Sequence, residues 1–205
     1  VEQFEKLILP HMLQARAKER RLRIWSAAAS TGQESYSLAM ILREKAAQMK
    51  DWKLDIFGTD LSNEALAKAK AGAYSQFEVQ RGLPVTHLVK YFEKKGEQWC
   101  IKDAVKAMVR FQTANLLDPF TGFGTCDVVY CRNVLIYFDE PTKRDILKRI
   151  SLLMPPDGYL LLGAAETVVG ISNDFFPIEQ SRGVYSKQPA VKAAAAAPVA
   201  KAVGA

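Results

Sequence analysis

The sequence is poor in the residues that build metal centres and disulfide frameworks: Cys100, Cys126 and Cys131 are its only cysteines, and His11 and His87 its only histidines. The cysteines are odd in number, lack a C-x-x-C spacing and stand apart from both histidines. That pattern excludes a disulfide scaffold and a zinc site and points to a reducing compartment. No apolar segment approaches the roughly 18 residues of a membrane span, and no early basic stretch leads into an apolar run with a small-residue cleavage site. The expectation is a cytoplasmic chain without membrane insertion. A G-x-G-x-x-G string is also missing, and with it the turn that cradles the pyrophosphate of dinucleotides.

What remains is a chain of 205 residues, 49% hydrophobic and 24% charged, which suits one domain with a continuous core. Its net charge of +6 admits nucleic acid, a membrane surface or an acidic protein as partners. The excess is modest and spread out. Its densest stretch, Arg16, Lys18, Arg20, Arg21 and Arg23, reads either as a binding face or as a solvated helix face.

Hydrophobic periodicity gives an alternation of helices and strands. Residues 1–14 pattern as a helix interrupted at Pro10, 22–28 as a strand, and 33–49 as a long helix entered through Thr31-Gly32. A second strand covers 54–59, and Ser62 is placed to cap a helix running to 71. From 74 to 109 the period becomes irregular and aromatic around a Gly82-Leu83-Pro84 turn, as expected of a small inserted module. Strands follow at 109–113 and 126–131, a helix at 141–154, and a nearly continuous apolar strand at 159–162, with 175–178 and 183–186 able to close the sheet as an antiparallel pair. Residues 188–205 are rich in alanine and offer no periodic apolar face, so they read as a disordered tail or linker that is dispensable for folding. The fold class is α/β with a largely parallel sheet.

Ligands in such sheets lie outside the carboxyl ends of the strands, and chemistry-bearing residues collect there. After the first strand, the small residues from Ala27 and Ala28 to Gly32 let backbone approach a ligand, with Glu34 two residues beyond. Asp60 ends the second strand, where an acid accepts hydrogen bonds from ribose hydroxyls. Asn115 and Leu116 follow the third, an amide and an apolar side chain suited to adenine. Cys131, Arg132 and Asn133 follow the fourth, with Tyr137 next. Each has an ordinary structural explanation: Glu34 favoured by a helix dipole, Asp60 capping a turn, Tyr137 in the core. Arg132 is the hardest to dismiss, because an unpaired charge after a buried strand is costly. One ligand across four strand ends accounts for all of them. Without a phosphate cradle, S-adenosylmethionine fits better than a dinucleotide, and Glu34 can meet a cationic group of its methionine portion.

The string Trp25-Ser26-Ala27-Ala28-Ala29-Ser30-Thr31-Gly32-Gln33-Glu34-Ser35-Tyr36-Ser37, with Cys131-Arg132-Asn133-Val134-Leu135-Ile136-Tyr137-Phe138, closely resembles the CheR-type chemoreceptor glutamate methyltransferases. Gly58-Thr59-Asp60-Leu61-Ser62, Arg81-Gly82-Leu83-Pro84 and Asn115-Leu116-Leu117-Asp118 extend the match, which runs over residues 1–187. The resemblance implies a Rossmann-like S-adenosylmethionine-dependent methyltransferase sheet with a small antiparallel β insert at about 74–109. It also implies a glutamyl methyl ester product on the cytoplasmic signalling domain of chemoreceptors in chemotaxis adaptation. It assigns Ala28, Gly32, Glu34, Asp60, Asn115, Leu116, Cys131 and Asn133 to the cofactor, Arg132 and Tyr137 to the transferred methyl group, and no metal.

Three departures stand out. The family carries a helical domain, and a cofactor-covering segment with a Thr and an Arg, before the point where this chain starts, so the chain is expected to be a fragment. Ser35 replaces a usual proline. Gly163-Ala164-Ala165-Glu166 replaces a Gly-His-Ser-Glu-like turn, a change expected to leave the proposed centre untouched. The competing reading is a methyltransferase-like module that binds a receptor or another protein and has lost much of its catalysis. A small-molecule or nucleic-acid methyltransferase lacks support, since the transfer site reads Cys-Arg-Asn-Val.

Overall fold

Proline bends the first helix of this protein but does not break it. In the computed structural model, which describes residues 1–189, a π-helical turn at Phe4–Ile8 runs directly into α1 (Leu9–Ala15), whose first turn contains Pro10. Proline lacks an N–H, and its ring collides with the carbonyl four residues back in a regular helix. The widened turn, in which the Leu9 N–H reaches the Phe4 carbonyl, removes that collision. The interruption expected at Pro10 is therefore a bulge within a continuous helical segment.

The alternating pattern then builds the sheet. In order follow β1 (Arg21–Ser26), α2 (Gln33–Glu44), β2 (Lys53–Asp60) and α3 (Asn63–Ala71). Helix α2 stops short of the expected residue 49, with a separate 3-10 turn at Ala46–Gln48. Ser62 caps α3, its hydroxyl accepting from the Ala65 N–H at 3.1 Å. The irregular stretch folds as β3 (Ala73–Ser75), α4 (Gln76–Gln80), α5 (Val85–Tyr91), β4 (Phe92–Lys95), β5 (Gln98–Ile101) and α6 (Asp103–Lys106). Its strands form a separate antiparallel sheet in the order β3-β5-β4. The Tyr74 hydroxyl of this insert donates to the Thr31 carbonyl at 2.6 Å, which ties the insert to the loop after β1.

The remainder is β6 (Val109–Thr113), β7 (Val128–Cys131), α7 (Glu140–Leu153), β8 (Tyr159–Leu162), β9 (Phe176–Pro177) and β10 (Val184–Ser186). The main sheet has the order β6-β2-β1-β7-β8-β10-β9. It is parallel except at β10, which runs antiparallel to β8 and β9. Strand order reverses between β1 and β7, so the crevice for a ligand opens at their carboxyl ends. One sheet face packs Leu22 and Ile24 against Phe4, Ile8 and Met12 and against Leu38 and Ile41 of α2. The other buries Trp25 and Phe57 with Ile146, Leu147 and Ile150 of α7. Strands covered on both faces explain the nearly unbroken apolar runs of β7 and β8. The tail expected from residue 188 lies, from residue 190 on, outside the described residues.

Two arginines of the basic run belong to this framework. Arg16 places Nη1 and Nη2 on the Asp157 carboxylate at 2.7 and 2.6 Å and Nε on Asp127 at 3.0 Å. Arg23, 8% exposed, bonds Asp55 and the carbonyls of Phe123 and Thr125. Two of the run's five charges are thus consumed internally, at the amino end of the sheet, while Lys18, Arg20 and Arg21 are exposed.

Candidate active site

The carboxyl ends of β1, β2 and β7 bound a cleft of about 510 Å³, lined by Ala28, Ser30, Glu34, Asp60, Arg132 and Tyr137 among others. This volume lies in the range of roughly 300–1,000 Å³ typical of small-molecule sites. The loop after β1 is pinned by its neighbours: the Ala27 N–H bonds the Tyr130 carbonyl at 2.7 Å, and the Ala29 N–H bonds the Thr59 carbonyl at 2.9 Å. Thr59, fully buried, accepts from the Trp25 indole at 3.0 Å and donates to the Ala27 carbonyl at 3.2 Å. Gly32 turns this loop into α2 at φ +93°, where a Cβ would stand 2.9 Å from that of Ala69. Its absent side chain lets the loop lie directly on α3.

Asp60 closes the cleft on the β2 side. Its two carboxylate oxygens accept from the N–H groups of Ser30 at 2.8 Å and Ser62 at 2.9 Å. Each oxygen keeps a further lone pair, so the residue is oriented by the protein and still able to accept from a diol. Ser30 adopts φ +51° to make its contact, and Asn133 across the cleft adopts φ +59°. Left-handed non-glycine residues are uncommon, and these two face each other over the crevice.

Glu34 lies in the first turn of α2, where Ser26 donates to it at 3.2 Å and Arg132 reaches it at 3.3 Å. Burial pushes its carboxyl above the ordinary carboxylate range against the opposing pull of Arg132. The charge of Arg132, which would be costly if left unpaired after a buried strand, has a partner: its side chain is 42% exposed and paired with Glu34, itself 22% exposed. A pair this wet contributes at most about 1 kcal/mol, so the carboxylate is poorly compensated and suited to a second cation. Tyr137, expected in the core on ordinary grounds, is 79% exposed at the rim.

Not every residue assigned by resemblance lines the cleft. Ala28, Glu34, Asp60, Arg132, Asn133 and Tyr137 do, whereas Gly32 supports it from beneath. Asn115 folds its side chain into a local turn, accepting the Leu117 N–H at 2.9 Å, and the buried Leu116 offers its carbonyl to Arg149 at 2.6 Å. Cys131 is wholly buried, and burial drives its thiol far above the usual range. Only its backbone can meet a ligand, and thiol nucleophilicity is excluded.

The sequence reading missed Glu166. This residue, 8% exposed, accepts from the N–H groups of Asn133 at 2.6 Å, Leu135 at 2.8 Å, Gly163 at 2.9 Å, Val134 at 3.1 Å and Ile136 at 3.3 Å. One carboxylate thereby orders the whole loop that carries Arg132 and Tyr137. Gly163 is required beside it, because a Cβ there would fall 2.2 Å from Asn133 Oδ1. Gly163 and Glu166, the two residues of this turn that match the family's pattern, are therefore part of the centre's support. The available signal was an acid in a run of small residues just past an apolar strand, where a charge survives only if backbone donors surround it.

The residues present fit S-adenosylmethionine: an acid with free lone pairs beside β2, an under-compensated carboxylate at the first turn of α2, and small side chains between them. Sheet and cleft together define a Rossmann-like domain of the S-adenosylmethionine-dependent methyltransferase class. Residues 1–184 match the family model for the CheR methyltransferase, SAM binding domain. The chain belongs to this family. It is 42% identical over 188 residues to chemotaxis protein methyltransferase 1 of Pseudomonas aeruginosa, covering 89% of this chain and 68% of that one. It is 42% identical to the chemotaxis protein methyltransferase Cher2 of Pseudomonas putida over 80% of this chain and 61% of that one. To the chemotaxis protein methyltransferase of Vibrio parahaemolyticus it is 38% identical, with 83% and 63% covered. The chain thus spans about two thirds of the length of these relatives.

Proposed function

We propose that this domain transfers the methyl group of S-adenosylmethionine to glutamate side chains in the cytoplasmic signalling region of chemoreceptors, forming glutamyl methyl esters. The observation that carries this reading is the convergence of Glu34, Asp60, Arg132 and Tyr137 on one cleft in a chain matching the CheR family over residues 1–184. When bound, S-adenosylmethionine supplies a methyl carbon made electrophilic by a positively charged sulfur. Asp60 holds the ribose hydroxyls, and Glu34 meets the ammonium of the methionine portion through a charge-assisted hydrogen bond. Asn115 and Leu116 stand at the third strand end for the adenine, and Ala28, Gly32, Cys131 and Asn133 shape the backbone around the cofactor.

With the cofactor held by Glu34 and Asp60, an acceptor carboxylate oriented by Arg132 would form a carbon–oxygen bond to the methyl carbon as the carbon–sulfur bond breaks and its electron pair returns to sulfur. A carboxylate with an ordinary pKa near 4.3 is already ionised at neutral pH, so no side chain need act as a base. The work of the protein is alignment, which is worth up to roughly 7–11 kcal/mol when attacking and accepting atoms are held near contact. Arg132 orients the acceptor with its planar donors, and Tyr137 stands at the rim where the acceptor enters.

The test is incubation of the full-length protein with methyl-labelled S-adenosylmethionine and receptor-containing membranes. Label on receptor that base releases as methanol is the expected result. Label that resists base, or that goes to nucleic acid or a small molecule, would overturn the reading.

A further inference from the structure

A second cleft of about 550 Å³ opens on the other side of Arg132, which lines both. Leu161, Leu162 and Tyr185 give it an apolar floor, and the 163–167 loop, Arg182, Val1 and Gln3 complete its lining. Pockets that bind small groups combine such floors with a few convergent polar atoms. Here one of those atoms is out of place. The Tyr130 hydroxyl is buried without any hydrogen-bond partner, although buried phenols in native structures nearly always find one. Tyr130 is 1% exposed and lines this cleft. Phenylalanine would fill the same space without orphaning a donor.

Among the charged side chains that line this cleft, Arg132 and Arg182 have capacity to spare, while Glu34, which also acts on the hydroxyl, lines the neighbouring cleft. Glu166 lines the cleft, but its oxygens are engaged by five backbone N–H groups. Arg132 is only partly neutralised by Glu34 at 3.3 Å. Arg182 makes no ion pair among the described residues, and its one recorded hydrogen bond is through its backbone carbonyl, to the Gln3 amide. Burial pushes the Tyr130 phenol up, so it is a donor throughout the physiological range. A buried O–H donor in a cleft that two arginines also line, over an apolar floor, suits a compact anion that accepts hydrogen bonds.

We propose that this cleft is a carboxylate subsite of the transfer reaction, with Tyr130 as its buried donor and Arg132 and Arg182 as its cationic walls. The inference rests on the methyl-transfer reading for the identity of its ligand. Two carboxylates take part in that reaction, the side chain of the acceptor glutamate and the α-carboxylate of the methionine portion.

The decisive variant is Tyr130→Phe in the full-length protein, with Arg182→Gln as a second, exposed substitution that leaves the core intact. Three readouts are needed: thermal melting, calorimetric affinity for S-adenosylhomocysteine and for its decarboxylated analogue, and KM for a receptor cytoplasmic fragment. A merely structural hydroxyl predicts a melting temperature that is equal or higher and no change in either binding readout. A carboxylate subsite predicts that same melting behaviour with a loss of about tenfold or more in one binding readout. A raised KM for the receptor fragment, with S-adenosylhomocysteine affinity unchanged, assigns the subsite to the acceptor. Weakened S-adenosylhomocysteine binding, with the decarboxylated analogue unaffected, assigns it to the cofactor. If both variants stay within twofold of wild type in every binding readout, the subsite does not exist. Failure of the glutamate reading is separately visible, as wild-type protein that binds S-adenosylhomocysteine yet methylates no receptor.

Discussion

The two ends of the sheet use the same residue types to opposite effect. At the amino end, Arg16, Asp127 and Asp157 form a network in which both Arg16 side-chain exposure, at 13%, and Asp127 exposure, at 10%, are low, and every contact lies between 2.6 and 3.0 Å. At the carboxyl end, Glu34 has one arginine at 3.3 Å, Asp60 has used half its lone pairs, and the hydroxyls of Ser35 and Tyr130 are buried without partners. Closed networks hold a fold together, whereas incomplete ones leave capacity for a ligand. The two ends differ in satisfaction as well as in burial, and that difference separates the structural from the functional end of the domain.

The largest expected effect falls on the closed end. Asp127→Ala removes the acceptor of both Arg16 Nε and the Arg23 N–H, and although Arg16 keeps its two bonds to Asp157, each buried donor left without an acceptor costs about 1–3 kcal/mol. Urea unfolding should report that loss, while S-adenosylhomocysteine affinity of the folded fraction stays at its wild-type value. At the open end, Arg132→Lys keeps the charge but loses the planar fork. Turnover should fall by about ten- to a thousandfold with little change in cofactor affinity. Near-normal receptor methylation by this variant would instead make Arg132 a support for Glu34 and its loop.

Asp60→Ala should weaken S-adenosylhomocysteine by at least roughly tenfold, from loss of charge-assisted bonds worth about 1.5–3 kcal/mol. Unchanged calorimetric affinity in a folded variant would remove Asp60 from the ribose site. The smallest effect belongs to Ser35, third residue of α2, whose N–H lies among the four that a helix start leaves free. Ser35→Pro deletes a buried orphan hydroxyl and stiffens the unfolded chain, so stability should rise by about 0.4–1 kcal/mol. A fall in melting temperature would show that the hydroxyl has a partner in solution.

Much of this was legible from the residues. Small residues after β1, an acid ending β2 and an arginine and asparagine after β7 follow from the rule that ligands sit at strand carboxyl ends, and Ala28, Asp60, Arg132 and Asn133 do line one cleft. Loss of helical period marked the insert. What escaped the sequence was pairing between distant residues. Arg16 and Arg23 looked like part of a basic face because Asp127, Asp157 and Asp55 lie 32 to 141 residues away. Glu166 looked incidental because its partners are backbone N–H groups, which have no letter in the sequence. Arg132 could be placed just past β7, but its partner Glu34, 98 residues away, is not fixed by any spacing. Pro10 read as a break because periodicity does not register a turn widened by one residue.

The central claim, that the carboxyl end is unsatisfied in order to take a ligand, is tested most directly on Glu34. Its carboxyl is raised by burial, so above its folded pKa the ionised group works against folding, and that penalty is relieved as pH falls through that pKa toward the ordinary value. Asp157, held below its ordinary range by Arg16, has the opposite sign: it stabilises above its unfolded pKa and loses that contribution as pH falls through its folded one. Glu34→Gln is nearly isosteric and removes the penalty. The measurement is the stability of this variant at neutral and acid pH beside its calorimetric affinity for S-adenosylhomocysteine. The account predicts stability equal to or above wild type at neutral pH, a difference that shrinks on acidification, and cofactor affinity lowered by about tenfold or more. A variant that is destabilised at neutral pH while binding S-adenosylhomocysteine as wild type does would contradict it.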